Sequence, residues 1–121
     1  MKDKKILICD DDLGILEMLE LFLEDEGYQV LIEPNSINAL KTIERESPHL
    51  ILLDIWMPKI SGDQILRSLR QNSKIALIPV LMYSASTDGK NIAESCGADA
   101  YVPKPFDLNV LLDEIEKLID K

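Results

Sequence analysis

A run of four aliphatic residues that ends in an aspartate, Leu50 to Asp54, constrains this chain more than any other feature. Four consecutive aliphatic side chains are too apolar for a strand with one face in water. The run therefore predicts a strand buried on both faces, in the middle of a parallel sheet. Asp54 then stands at the carboxyl end of that strand, where the loops of open α/β sheets diverge and leave a crevice for ligands. Asp54 is the first candidate for chemistry, and the alternative is an aspartate that only begins a turn before Pro58.

The rest of the chain repeats a strand pattern followed by a helix pattern five times. The strand patterns cover 5–9, 28–33, 50–54, 79–83 and 100–103, and the helix patterns follow at 13–26, 36–47, after 61, before 97 and at 108–119. Capping chemistry supports the helices: Ser36 and Asp107 are predicted N-caps, Ser61 and Gln64 have capping-box spacing, and Gly27 supplies a left-handed stop. Asp12 is also predicted to cap the first helix rather than to join any site.

Five strand–helix units with right-handed crossovers place helices on both faces of one parallel sheet. Pro103 has no backbone N–H to donate to a neighbouring strand. Either the fifth strand therefore lies at an edge of the sheet, or the proline lies at the end of that strand. With the third strand central, the order 2-1-3-4-5 is the natural choice. We therefore predict an α/β fold, a (βα)5 doubly wound parallel five-stranded sheet in a flavodoxin-like three-layer sandwich.

Length and composition limit the number of domains, the location and the kinds of partner. The 121 residues fit one domain, 1–121, and 46% hydrophobic residues with six prolines and five glycines are typical of an ordered globular protein. The apolar runs are too short to cross a bilayer and the first residues lack the apolar core of a signal peptide, so we expect a cytoplasmic location and no membrane partner. A net charge of -9 argues against direct nucleic acid binding and favours proteins or cations as partners. Cys9 and Cys96 form no motif and are predicted buried thiols, and a single histidine, His49, excludes a histidine-rich metal site.

The predicted strand order gathers polar residues at one rim of the sheet. Asp10 and Asp11 follow the first strand, Asp54 the third, Ser84 the fourth and Lys104 the fifth. Two carboxylates about 5 Å apart repel by roughly 3 kcal/mol at an effective dielectric of 20, so this cluster needs a counter-charge. All-oxygen ligands favour a hard cation such as Mg²⁺. A carboxylate beside such an ion can attack phosphorus and form an acyl phosphate.

With these residues in place, the whole chain resembles the receiver (CheY-like) domain of two-component response regulators. The matching residues are the Asp10-Asp11 pair, Asp54 within Leu-Leu-Asp-Ile-Trp-Met-Pro, Gly62, Ser84-Ala85, Tyr101 and Lys104-Pro105-Phe106. The resemblance implies that Asp54 accepts a phosphoryl group from a phosphohistidine on a sensor histidine kinase or histidine phosphotransfer protein. The domain would then catalyse only its own phosphorylation and self-dephosphorylation, and would not be an enzyme in the usual sense.

The resemblance also implies roles for the other residues of the rim. Asp11 and Asp54 would ligate Mg²⁺ directly, Asp10 would act through water, and the backbone carbonyl of Trp56 would complete the protein ligands. Lys104 would pair with the phosphoryl oxygens. Ser84 would be the hydroxyl that bonds the phosphoryl group and Tyr101 the aromatic that moves behind it, while the peptide before Pro105 would be cis. The switched surface would be the fourth helix, fifth strand and fifth helix, toward an unknown downstream protein target or a phosphorylation-dependent dimer.

Alternatives from other classes remain. A pseudo-receiver would keep the fold as a protein-interaction module without taking up phosphate, although retention of Asp54 and its neighbours argues against it. A phosphatase with an aspartate nucleophile would usually want a second acidic residue where this chain has Trp56, and a nucleotide enzyme would want a glycine-rich loop. Trp56 and Ser86 occupy the positions that tune phosphoryl lifetime in the family, and the bulky indole predicts slow self-dephosphorylation. No output domain is expected within 1–121, so the chain is either a free-standing receiver or a fragment of a longer regulator or hybrid kinase.

Overall fold

The computed structural model describes residues 3–120, which form five strands and five helices in strict alternation. The strands are Lys5–Cys9 (β1), Gln29–Glu33 (β2), Leu50–Asp54 (β3), Val80–Ser84 (β4) and Ala100–Pro103 (β5). The helices are Leu13–Asp25 (α1), Ala39–Glu46 (α2), Gly62–Gln71 (α3), Gly89–Cys96 (α4) and Leu108–Ile119 (α5). A short 3₁₀ turn, Ser36–Asn38, leads into α2.

All strand pairs are parallel, and the sheet order is β2-β1-β3-β4-β5, which confirms the predicted doubly wound fold. Each residue of β3 is buried, as expected for the middle of a sheet with helices on both faces. The register pairs Asp54 with Tyr83 and Ser84 with Pro103. Three strand ends therefore lie side by side at one rim, and β5 lies at the edge of the sheet.

Alternate residues of the strands point into two separate hydrophobic cores, as the two-residue period of a strand requires. One core contains Ile6, Ile8, Leu52 and Tyr83 against α1 and α5. The other contains Leu7, Leu53 and Met82 against α2, α3 and α4. No helix within residues 3–120 combines the length and the apolar character that crossing a bilayer requires.

Most predicted helix signals are confirmed. Asp12 accepts hydrogen bonds from the backbone N–H groups of Gly14 and Ile15 at 2.9 and 3.2 Å, and Asp107 caps α5 in the same way. The Gln64 Oε1 atom accepts from the backbone N–H of Ser61 at 3.0 Å, and the predicted capping box between these two residues is present. Gly27 follows α1 with a φ of 99°.

The prediction that Ser36 caps the second helix is wrong. The residue before α2 is Asn38, whose side chain makes no capping bond, and the 3₁₀ turn ahead of it is capped by Asn35, whose side chain accepts from the backbone N–H of Ile37 at 3.0 Å. The Ser36 hydroxyl instead donates to the carbonyl of Pro58 at 2.6 Å. A tertiary partner therefore outcompetes the local capping bond that this serine could otherwise make.

Arg70 joins three segments at the opposite rim, where the amino end of β4 lies. Its guanidinium donates to the carbonyls of Ala76 and Ile78 at 3.0 and 2.7 Å and to the Asp99 carboxylate at 2.6 Å. Asp99 also accepts from the backbone N–H of Val80 at 2.8 Å. The end of α3, the loop before β4 and the loop before β5 are thus tied together far from the rim that carries the acidic residues.

Candidate functional site

Three carboxylates meet at the carboxyl end of the sheet. Asp10 follows β1 and is fully buried, Asp54 ends β3 with 4% of its surface exposed, and Asp11 is exposed at the rim. One oxygen from each lies within 4.8 Å of the others. The strand order brings them together, because β1 and β3 are direct neighbours and their ends point to the same side.

Asp10 is held by two hydrogen bonds from different elements. Its Oδ1 atom accepts from the backbone N–H of Asp12 at 2.9 Å, and its Oδ2 atom accepts from the Tyr83 hydroxyl at 2.8 Å. The Tyr83 ring is buried and packs edge-on against Phe106, with centroids 5.0 Å apart. Sequence reasoning missed Tyr83. The available signal was an aromatic residue with a polar tip inside an otherwise aliphatic buried strand, since such a hydroxyl must find a partner.

Lys104 supplies the positive charge. Its Nζ atom lies 3.5 Å from Asp10 Oδ2 and 3.6 Å from Asp54 Oδ1, and 5.1 Å above the Tyr83 ring. The backbone N–H of Lys104 donates to the carbonyl of Ser84 at 2.9 Å, so β5 continues its bonding to β4 past Pro103. The next peptide, Lys104–Pro105, is cis.

The electrostatics of the cluster make Asp54 an unusual carboxyl group. Burial first, and then the negative charge of Asp10, raise the pKa of Asp54 to about 7. Asp11 adds to the rise, while Lys104 and a hydrogen bond from the Trp56 backbone oppose it. One lysine therefore does not compensate three carboxylates, and the site favours an additional cation.

Ser84 and Tyr101 lie on the far side of Asp54 from β1. The Ser84 side chain is buried and its Oγ atom accepts from the backbone N–H of Ser86 at 2.9 Å, while the half-buried Tyr101 donates its hydroxyl to the Ser84 carbonyl at 3.2 Å. The start of α4 is close to both, because a Cβ atom on Gly89 would lie 2.4 Å from the Tyr101 hydroxyl oxygen and 2.8 Å from the Ser84 Cβ. The tyrosine and serine are thus coupled directly, next to the acidic cluster.

The β3–α3 loop, residues 55–61, borders the site on its other side. Trp56 is 54% exposed within it, two residues after Asp54. The loop closes tightly where the backbone N–H of Gly62 donates to the carbonyl of Ile55 at 2.7 Å. A Cβ atom at position 62 would lie 2.2 Å from the Asp54 carbonyl oxygen, so this closure requires glycine.

An apolar groove opens beside Lys104, between the first turns of α1 and the loop that follows β5. Its lining residues are Ile15, Met18, Ala85, Lys104, Pro105, Phe106 and Leu108. Exposed apolar side chains on α1, Leu13 and Leu21, extend the apolar surface of that helix. A contiguous apolar surface next to a charged site is typical of a place where another protein docks.

The donor set fits a magnesium ion. Carboxylate oxygens without histidine or cysteine select hard cations, and one exposed and two buried carboxylates leave room for water and substrate oxygens. After burial, the negative charges of Asp10 and Asp11 contribute to the raised pKa of Asp54, which is consistent with a rim where negative charge exceeds positive charge. Asp10, Asp11 and Asp54 are the residues that would hold the ion.

Comparison with known proteins agrees with this geometry. A family model described as the response regulator receiver domain matches residues 6–116. The Bacillus subtilis alkaline phosphatase synthesis transcriptional regulatory protein PhoP is 39% identical over 106 residues, which cover 86% of this chain and 43% of that protein. The Mycobacterium leprae response regulator MprA is 35% identical over 115 residues, covering 95% of this chain and 50% of that protein. The chain thus spans about half the length of these curated relatives.

Solved structures show the same likeness across the whole fold. The CheY-like response regulator receiver domain protein from Methanospirillum hungatei JF-1 superposes with a TM-score of 0.88 at 33% identity, covering 98% of this chain and 95% of that one. The BeF3-activated N-terminal receiver domain of Klebsiella pneumoniae RstA gives a TM-score of 0.89 at 27% identity, covering 97% and 99%. A family match over almost the entire chain, with the acidic cluster at the expected rim, shows that this chain belongs to the response regulator receiver domains of two-component signalling.

Proposed function

We propose that this receiver domain takes up a phosphoryl group on Asp54 with the help of Mg²⁺, from a phosphohistidine on a sensor histidine kinase or histidine phosphotransfer protein. The observation that carries the proposal is the placement of Asp54. It is a nearly buried carboxylate beside two further carboxylates, with the Lys104 ammonium 3.6 Å away. Receiver domains act in signalling with kinases, and relatives of this chain are transcriptional regulators.

The transfer itself needs little covalent chemistry from the protein. An Asp54 oxygen forms a bond to phosphorus as the bond from phosphorus to the donor imidazole nitrogen breaks, and that nitrogen takes up a proton as it leaves. Mg²⁺ held directly by Asp11 and Asp54, with Asp10 acting through water and the Trp56 carbonyl as a further ligand, would supply the charge that neutralises the phosphoryl oxygens. Lys104 holds a second positive charge against the same oxygens. Because Asp54 has a raised pKa, the same cations also favour the ionised carboxylate that must attack.

Docking of the donor explains the apolar groove beside Lys104. Asp54 is too deeply placed to reach a phosphohistidine unless the partner lies close over the rim. The groove offers apolar contact from Met18, Phe106 and Leu108 within the same surface. A partner that buries these side chains would present its histidine next to Lys104.

Phosphorylation would then be read through Ser84 and Tyr101. A phosphoryl group with two or three charge-assisted hydrogen bonds, at roughly 1.5–3 kcal/mol each, matches the roughly 5.5 kcal/mol that a nearly complete two-state switch requires. Ser84 can turn its hydroxyl toward the new oxygens, since its present partner is the backbone N–H of Ser86. Tyr101, bonded to the Ser84 carbonyl, would follow, and α4, β5 and α5 would carry the change to a downstream protein or a second receiver.

The test is incubation with acetyl phosphate and Mg²⁺, followed by intact-mass measurement of the wild type and of Asp54→Asn. We expect the wild type to gain the mass of one phosphoryl group, and both EDTA and the Asp54→Asn substitution to abolish the gain. A gain that persists in Asp54→Asn removes Asp54 from the proposed role. A wild type that gains no mass with Mg²⁺ favours the pseudo-receiver, a module that binds a partner through the same fold.

A further inference from the structure

Ser36 carries a buried hydroxyl that the chemistry proposed above does not use. The residue is 6% exposed and belongs to the 3₁₀ turn before α2, on the side of the sheet away from Lys104. Asn35 already caps that turn, so the helix does not need the Ser36 side chain. The partners of the hydroxyl lie in the β3–α3 loop, more than twenty residues along the chain.

The Ser36 hydroxyl bridges both ends of a tight turn in that loop. Its Oγ atom donates to the carbonyl of Pro58 at 2.6 Å and accepts from the backbone N–H of Ile60 at 3.3 Å. The same two loop groups also bond each other, from the Ile60 N–H to the Pro58 carbonyl at 2.9 Å. One side chain from a different element therefore holds a three-residue turn closed.

The residue at the centre of this turn is in an unfavourable conformation. Lys59 has a φ of 73°, a left-handed value that side chains other than glycine, asparagine and aspartate rarely adopt. A three-residue turn with a positive central φ is strained and persists only where the surroundings fix it. The Ser36 hydroxyl supplies such a contact from another element, and the exposed Lys59 side chain adds nothing to the core.

The strained turn matters because of what its loop connects. The loop leaves β3 at Asp54, passes through Trp56, and ends where Gly62 bonds back to Ile55 at 2.7 Å. Asp11, Ser36 and Lys59 line the same shallow depression, so the turn lies next to the exposed carboxylate of the acidic cluster. The turn is thus part of the backbone that joins Asp54 and Trp56 to α3.

We propose that Ser36 is a positioning residue for the site: it holds the β3–α3 loop in the conformation that Mg²⁺ binding and phosphoryl uptake require. The inference rests on the proposed function, and it adds a residue on a different element, outside the acidic cluster. Loss of the hydroxyl would release the turn, and the loop would sample conformations in which the Trp56 carbonyl is no longer placed to ligate the ion.

The test compares Ser36→Ala with the matched control Thr42→Val. Thr42 is 4% exposed on the neighbouring helix and donates its hydroxyl to Glu33 at 2.7 Å, so the control loses a buried hydroxyl and leaves the loop untouched. Amide hydrogen exchange at Ile60 and Gly62 reports on the loop. The fluorescence of Trp56, the single tryptophan of the chain, reports on Mg²⁺ binding without any phosphorylation.

We expect Ser36→Ala to speed exchange at Ile60 and Gly62 and to weaken Mg²⁺ binding by about tenfold, the effect of losing one to two hydrogen bonds. Thr42→Val should leave both quantities near the wild-type values. Lys59→Gly added to Ser36→Ala should restore much of the Mg²⁺ affinity, because glycine adopts a positive φ without strain. This rescue distinguishes a positional effect from a general loss of stability.

The inference is overturned if Ser36→Ala and Thr42→Val show the same exchange rates at the loop amides and the same Mg²⁺ affinity. It is also overturned if Lys59→Gly does not relieve the Mg²⁺-binding defect of Ser36→Ala. A wild type that binds Mg²⁺ and yet takes up no phosphoryl group overturns the proposed function alone. The exchange and titration comparisons are read without phosphorylation, so the two failures are distinguishable.

Discussion

Asp54 should cost the folded protein stability whenever it is ionised without a bound cation. Burial and the charge of Asp10 raise the pKa of Asp54 from its ordinary value of 3.8 to about 7. The folded chain therefore holds a proton that the unfolded chain releases in this range. Stability falls as the pH rises from about 4 to about 7, and the cost is complete and constant above that range.

The size of the effect follows from the same pKa. At 1.36 kcal/mol for each pH unit, the rise corresponds to about 4 kcal/mol as an upper limit. Solvent screening at the rim, where Asp11 is exposed, lowers this limit to about 2 kcal/mol. With an unfolding entropy of roughly 2.1 cal/mol/K per residue, this corresponds to a difference of about 8 °C in Tm for a chain of this length.

The perturbation is Asp54→Asn, which keeps the shape of the side chain and removes its titration. The assay is urea unfolding and thermal melting at intervals from pH 4 to pH 8, in EDTA so that no divalent ion compensates the charge. We expect the stability advantage of Asp54→Asn over the wild type to grow by about 2 kcal/mol across this range. Asp113→Asn, which changes an exposed carboxylate on α5, is the control and should show no such growth. An advantage of Asp54→Asn that is independent of pH, or that shrinks toward pH 8, would refute the electrostatic reasoning.

Three further predictions concern other parts of the chain. Arg70→Ala removes a guanidinium with three strong acceptors, so urea unfolding should show a free energy of unfolding lowered by about 2 kcal/mol. Arg67→Ala breaks only a surface ion pair with a residue one helical turn away, and should lower the free energy of unfolding by less than about 0.5 kcal/mol. Burial raises the pKa of the Cys9 thiol far above its ordinary value, and it also raises the pKa of the Cys96 thiol. Iodoacetamide at pH 8 should therefore leave Cys9 unlabelled in the native protein and label it after unfolding. Rapid labelling of Cys9 in the native protein would contradict this prediction. Trp56→Asn should shorten the lifetime of the phosphorylated form, because the large exposed indole beside the site hinders the attacking water. The lifetime is measured by the decay of the phosphoryl mass increment. An equal or longer lifetime in the variant would count against this role of Trp56.

The sheet and its rim could be predicted from very few residues. The aliphatic run Leu50–Asp54 fixes a central buried strand, and Pro103 fixes an edge. Between them they leave little choice of strand order. Once the order is known, the gathering of Asp10, Asp54 and Lys104 follows from topology, because parallel strands end at the same side.

The contacts that could not be predicted from the sequence join residues that are far apart in the chain. Asn35 and Ser36 are both good helix caps, and local chemistry does not choose between them. The choice is made by Pro58 and Ile60, which claim the serine hydroxyl from another loop. The bond from Tyr83 to Asp10 likewise joins residues 73 positions apart, and no local pattern encodes it.

The anchoring of Arg70 at the amino end of β4 has a consequence for how such a protein can be altered. Its hydrogen-bond partners brace one end of the sheet, and the acidic cluster occupies the other end. Residues around the acidic end can therefore be exchanged to change partner choice or signal duration, while the braced end keeps the three layers of helices and sheet assembled. Because the two ends are far apart, substitutions at the acidic end leave the contacts of Arg70 intact.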